Sequence, residues 1–81
     1  MSDRATYEAW VRAHHAAVYR AAHRVLRDVD DAMEVTQEVF LDALRDVPGL
    51  RTADDPGRVL RWKAVKRALM RIRGEGDRKS T

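Results

Sequence analysis

Cysteine is absent from the 81 residues, which removes disulfides, thiolate metal sites and a thiol nucleophile together. No stretch approaches the roughly 20 apolar residues of a membrane span. The opening MSDRATYEAW also lacks the apolar run of a secretory leader. These absences lead to the expectation of a soluble, cytoplasmic protein with no membrane partner. Serine occurs only as Ser2 and Ser80, in the tails, and Gly74-Glu75-Gly76 is not a phosphate-binding loop. A chain this short buries only about 60–65% of the surface its unfolded form exposes, too little for both a deep catalytic cavity and a large core. Neither an enzyme nor a cofactor is expected. Glycine and proline are scarce before residue 48 and nothing alternates with period two, so the fold class is all-α, without repeats.

Charge is what the sequence has in quantity, unevenly placed. Residues 1–57 carry seven Lys/Arg against eleven Asp/Glu, a net of −4. Residues 58–81 carry nine against two, a net of +7, which gives the overall +3. An acidic body with a basic C-terminal third implies two surfaces for two kinds of partner. The basic end suits a polyanion, nucleic acid first, unless it is simply a solvated helix with a frayed tail.

Three helices follow from periodicity, packed as a compact bundle over residues 1–75, with 76–81 as a disordered tail. The first starts at Asp3 or Thr6 and runs to Arg27, with Trp10, Val11, Ala17, Val18, Ala21, Val25 and Leu26 recurring at threes and fours. In the second, Asp31 and Glu34 have capping-box spacing, and Pro48-Gly49 stops the helix. Asp55 and Pro56 open the third as N-cap and first helical residue; it runs to about Arg73, and residues 49–55 form the one loop.

At 100° per residue the second helix places Ala32, Met33, Val35, Thr36, Val39, Phe40, Ala43, Leu44 and Val47 on one broad apolar side. Glu34, Gln37, Glu38, Leu41 and Arg45 fall opposite. Single exposed leucines are ordinary, so this face is either solvated or a helix-groove contact anchored by Leu41. The third helix shows an apolar stripe of Trp62, Val65, Ala68, Leu69 and Ile72, with Trp62 read as a core anchor rather than a stacking platform. Lys63, Arg67 and Arg71 lie almost directly opposite, and Arg58, Arg61, Lys66 and Arg73 flank the stripe. Such a row can neutralise successive phosphates, and a solvated face or a membrane-lying helix are its alternatives. His14, His15 and His23 suggest a metal, but adjacent histidines diverge by about 100° on a helix and no carboxylate set completes a site. No metal is expected.

The run Ala17-Val18-Tyr19-Arg20, then Asp28, then Asp31 through Ala43 closely resembles region 2 of the extracytoplasmic-function (ECF) sigma factors. VTQEVFLDA is its most specific part. The likeness continues from Ala64 to Arg73 and covers about residues 7–73. It implies a sigma region 2-like bundle whose second helix docks on the clamp helices of the RNA polymerase β′ subunit, here through Glu34, Gln37, Glu38, Leu41 and Arg45. It also implies capture of the melted non-template strand of the minus-ten promoter element, for which Arg51, Thr52, Arg58, Arg61, Lys63, Lys66, Arg67 and Arg71 are the matching candidates. An anti-sigma factor is a further partner that the resemblance allows.

Departures gather in the third helix. Val59 stands where relatives usually carry tryptophan, Lys63 replaces an aliphatic, Lys66 an asparagine and Met70 an aspartate. The family's second helix-turn-helix domain, for the minus-thirty-five element, has no counterpart in these residues. Two functions are therefore expected in competition: an initiation module, or a stand-alone sigma-like negative effector that occupies polymerase or a sigma partner without supporting initiation.

Overall fold

The computed structural model describes residues 2–74. Four helices follow one another: α1 Asp3–Leu26, α2 Val29–Arg45, α3 Val47–Arg51 and α4 Pro56–Ile72. The three long ones form the expected bundle, and α3 is a short added turn. The proposed tail, residues 76–81, lies outside the described residues.

Each helix begins on a side-chain oxygen that accepts from an otherwise orphaned N–H. Ser2 Oγ accepts from Ala5 N at 3.1 Å, Asp28 Oδ1 from Asp31 N at 2.9 Å, and Asp55 Oδ1 from Arg58 N at 3.1 Å. The second cap corrects the sequence reading. Asp28, not Asp31, opens the second helix, and Asp31 supplies the capped N–H. Glu34 turns instead toward α4. Between α1 and α2 the chain reverses through Arg27, whose φ of 58° and ψ of 27° are left-handed and whose N–H donates to His23 O at 2.7 Å. This is a helix stop built without glycine.

A second correction concerns residues 46–55. Pro48 has no N–H to continue the α2 ladder, and the chain leaves helical geometry at Asp46 (φ −139°, ψ 52°). The Asp46 carboxylate then accepts from Gly49 N at 3.2 Å and starts α3. The expected loop shrinks to residues 52–55. Arg51 secures this segment to the start of α1, donating to Asp3 Oδ1 at 2.7 Å and to Thr6 Oγ1 at 3.1 Å. At the other end, Gly74 takes a left-handed φ of 85° and closes α4.

The core is made mostly of alanine and valine, filled out by Phe40, Leu50 and Leu60: Val18 and Ala22 come from α1, Ala32, Val35, Val39, Phe40 and Ala43 from α2, Leu50 from α3, Leu60 and Ala64 from α4. Thr36 is buried among them with its hydroxyl donating to Ala32 O at 2.7 Å. Trp10, Val11, Leu26 and Val59 pack on its edge. At Gly57 the backbone of α4 comes so close to α1 that an added Cβ would sit 2.5 Å from the His14 ring. His15 stacks on Phe40 with centroids 6.0 Å apart, and His23 on Tyr19 at 5.7 Å. The three histidines thus pack separately along α1, and among the described residues no His, Cys, Asp and Glu side chains gather as a metal site. No described helix is long and apolar enough to cross a membrane.

Candidate functional site

The outward face of α2 follows its sequence pattern, with two additions. Glu34, Gln37, Leu41 and Arg45 are exposed and Glu38 is half-buried. Met33 and Leu44, expected in the core, are about half exposed and share this side with Leu41, which is 56% exposed. The positions 33, 37, 41 and 44 follow one helix face. The wheel placed Met33 and Leu44 at the margin of a broad apolar arc, and only packing decides on which side of such a margin a residue falls. The result is an exposed apolar trio around Gln37, a stronger contact feature than a lone leucine.

On its other flank α2 carries Asp31, Glu34, Glu38 and Asp42, at steps of three and four that keep carboxylates on one line. Against this line lie Arg67 and Arg71 of α4. Arg67 pairs with Glu38 at 3.4 Å and with Asp42. Arg71 donates from one nitrogen to Glu34 at 2.9 Å and Asp31 at 3.3 Å, and from the other to Glu38 at 3.2 Å. The hydrogen bond to Glu34 is the main reason the Arg71 guanidinium is held above its ordinary pKa; burial opposes this, and the charges of Glu38, Glu34 and Asp31 add to it.

This seam overturns the expected orientation of α4. Trp62, Leu69 and Ile72, expected inside, are 59%, 44% and 57% exposed. The face turned inward is Gly57, Leu60, Ala64 and Ala68. Small residues let α4 approach its neighbours closely, where a tryptophan would not fit. The arginines meanwhile find their counter-charges on α2. Of the expected core stripe only Ala68 is buried, with Val65 intermediate.

The eight candidate nucleic-acid residues accordingly divide. Arg51 is tied to α1, and the Thr52 hydroxyl donates to Gly49 O at 2.7 Å. Arg67 and Arg71 sit in the seam. Arg58, Arg61 and Lys63 form no ion pair among the described residues, and Lys66 holds its ammonium 5.1 Å from the centre of the exposed Trp62 ring. Trp62 was missed as a surface residue; its sequence signal was its place among four basic neighbours, Arg58, Arg61, Lys63 and Lys66. A groove of about 500 Å³ beside Tyr7, Leu44, Val47 and Pro48 has its charged rim engaged in the Asp3–Arg51, Arg4–Glu8 and Arg45–Asp42 pairs. Burial raises the pKa of its Tyr7 hydroxyl. No nucleophile–base pair lies there.

An acidic helix with an exposed apolar trio thus lies against a basic helix with a second exposed apolar stripe. The family model of sigma-70 region 2 matches residues 10–78, and the chain belongs to that family. It is a non-catalytic domain of transcription initiation factors, involved with RNA polymerase and promoter DNA. No curated protein and no solved structure matches the chain.

Proposed function

We propose that the domain docks on the β′ clamp helices of RNA polymerase through the outward face of α2 and holds the melted non-template strand of a minus-ten element with α4, as an ECF-type sigma factor does, in the cytoplasm. The observation that carries this reading is the exposed trio Met33, Leu41 and Leu44 within the segment that most resembles the family's docking helix. Gln37, Glu34, Glu38 and Arg45 form its polar rim, an arrangement in which apolar anchors supply affinity and the rim supplies register. Nothing is catalysed. The domain contributes binding energy that favours the open strand, using Arg58, Arg61, Lys63 and Lys66 for phosphates and Trp62 as a surface on which a base can stack. An anti-sigma factor that covers α2 would block docking.

A second reading, the negative effector, is favoured by the seam. Arg67 and Arg71 have partners inside the molecule, and Lys66 and Met70 stand where relatives carry asparagine and aspartate. A domain that keeps the exposed docking trio Met33, Leu41 and Leu44 but has a reduced strand-binding row would occupy polymerase without opening a promoter. Retention of the protein by purified core polymerase, and its loss in Leu41→Asp, tests docking; retention unchanged by that substitution removes the assignment. Run-off transcription, with and without a competing sigma factor, separates the readings. Specific initiation supports the first, and dose-dependent inhibition without initiation supports the second.

A further inference from the structure

Among the described residues the apolar outward face of α4 is covered by no other element. Trp62, Leu69 and Ile72, with the half-buried Val65, recur at 62, 65, 69 and 72. Steps of three, four and three are those of a seam that meets another helix. Between Pro56 and Ile72 there is no acidic residue, and Arg58 and Lys66 extend the seam with positive charge only. Phosphates reward the basic residues and one base could stack on Trp62, but neither rewards Leu69 or Ile72. Two copies of this face would bring like charges together. The molecule already contains one solution to such a surface: on its other flank α4 is met by α2, whose carboxylates at 31, 34, 38 and 42 receive Arg67 and Arg71.

We propose that the outward face of α4 is a docking site for an acidic amphipathic helix of a partner protein. Its apolar positions lie on Trp62, Val65, Leu69 and Ile72, and its flanking carboxylates meet Arg58 and Lys66. The site goes beyond the polymerase and promoter reading and does not depend on it. Its occupant would cover the side chains offered to nucleic acid, so the two would exclude one another.

The test uses the full chain and a three-heptad probe peptide with leucine at a and d and glutamate at e and g. Two controls accompany it: a peptide with lysine for glutamate, and one with alanine for leucine. The acidic leucine peptide should bind about tenfold more tightly than either control, gain helicity by circular dichroism, and displace a labelled oligothymidine from the protein if the strand is held there. The double variant Leu69→Asp/Ile72→Asp, at exposed positions that leave the core intact, should weaken binding by about tenfold with an unchanged unfolding midpoint; Leu41→Asp should bind like the native chain. Equal binding of the alanine peptide would reduce the site to charge and overturn the proposal. So would binding that survives the double variant. Capture by phosphatidylglycerol vesicles with no peptide binding would assign the face to a membrane, and self-association lost in the double variant would assign it to a second copy; either result overturns it. Loss of polymerase retention with peptide binding intact would count against the functional reading alone.

Discussion

At Gly57 a single missing carbon sets how closely α4 can approach α1. A Cβ there would lie 2.5 Å from the His14 ring, well inside contact distance, so Gly57→Ala must turn that half-buried ring aside and should cost about 0.5–1.5 kcal/mol. Chemical denaturation should show most of that loss recovered when His14→Ala is combined with it, because the second change removes the obstructing ring. Arg27 is the converse case. It holds a left-handed conformation that costs a side-chain-bearing residue about 1 kcal/mol or more. Arg27→Gly relieves that cost and gives up about 0.4–1 kcal/mol to the freer unfolded chain. A net gain of about 0.5 kcal/mol is expected, visible as a small rise in Tm.

The three long helices were legible in the sequence, and the reason is local; α3, in part of the expected loop, was not. N-cap chemistry at Asp55 and Pro56, the missing N–H of Pro48 and the three-four recurrence all act within a few residues. The α2 boundary was misplaced because Asp28 and Asp31 are both capping residues three positions apart, and the sequence does not show which one leaves helical geometry. The facing of α4 was misread for a different reason. Its largest apolar side chains, Trp62, Leu69 and Ile72, define a stripe when the helix is taken alone. Its real orientation depends on how closely its own small residues Gly57, Ala64 and Ala68 fit against neighbouring helices and on the carboxylate row of α2. A single wheel shows the small residues but not what they meet. The exposed face of α2 was legible because the wheel and the VTQEVFLDA run both mark it, whereas the candidate DNA residues were gathered by charge, and charge alone does not distinguish Arg58, with no ion pair among the described residues, from Arg71, with three.

The α2–α4 seam also makes a prediction at this scale. Exposed pairs contribute about 0.2–1 kcal/mol each, and here two guanidiniums share four carboxylates. Arg67→Ala/Arg71→Ala should destabilise the domain by about 1–3 kcal/mol, leaving the acidic row without compensation. Urea denaturation repeated at rising sodium chloride should show the native chain losing stability to screening and the double variant losing much less, since salt weakens only interactions that exist. An equal salt response in the two would mean that the seam contributes nothing measurable.

For the whole molecule, the division of basic residues becomes a division in salt dependence. If Arg58, Arg61, Lys63 and Lys66 contact phosphates, removing any one should lower the magnitude of the slope of log affinity against log salt by about 0.7 for a single strand. Arg67→Ala should leave the slope nearly unchanged, because that guanidinium is paired with Glu38 and Asp42. A fluorescently labelled oligonucleotide titrated at several salt concentrations reads both slopes. Equal reductions would show that the seam opens on binding and that Arg67 joins the phosphate row.

The Arg51 tie spans the chain. Asp3 and Thr6 lie 48 and 45 positions from the arginine they hold, so the first turn of α1 serves as an anchor for the segment that leads into α4. Local opening in α3 is then governed from the opposite end of the sequence. Asp3→Ala/Thr6→Ala should speed amide hydrogen exchange at Leu50 and Ala53, whose N–H groups bond to Asp46 and Leu50, while leaving exchange at Val35 and Val39 in the core unchanged. An affinity tag that pulls on residues 3–6 would therefore loosen the approach to the basic helix, without touching either proposed interface.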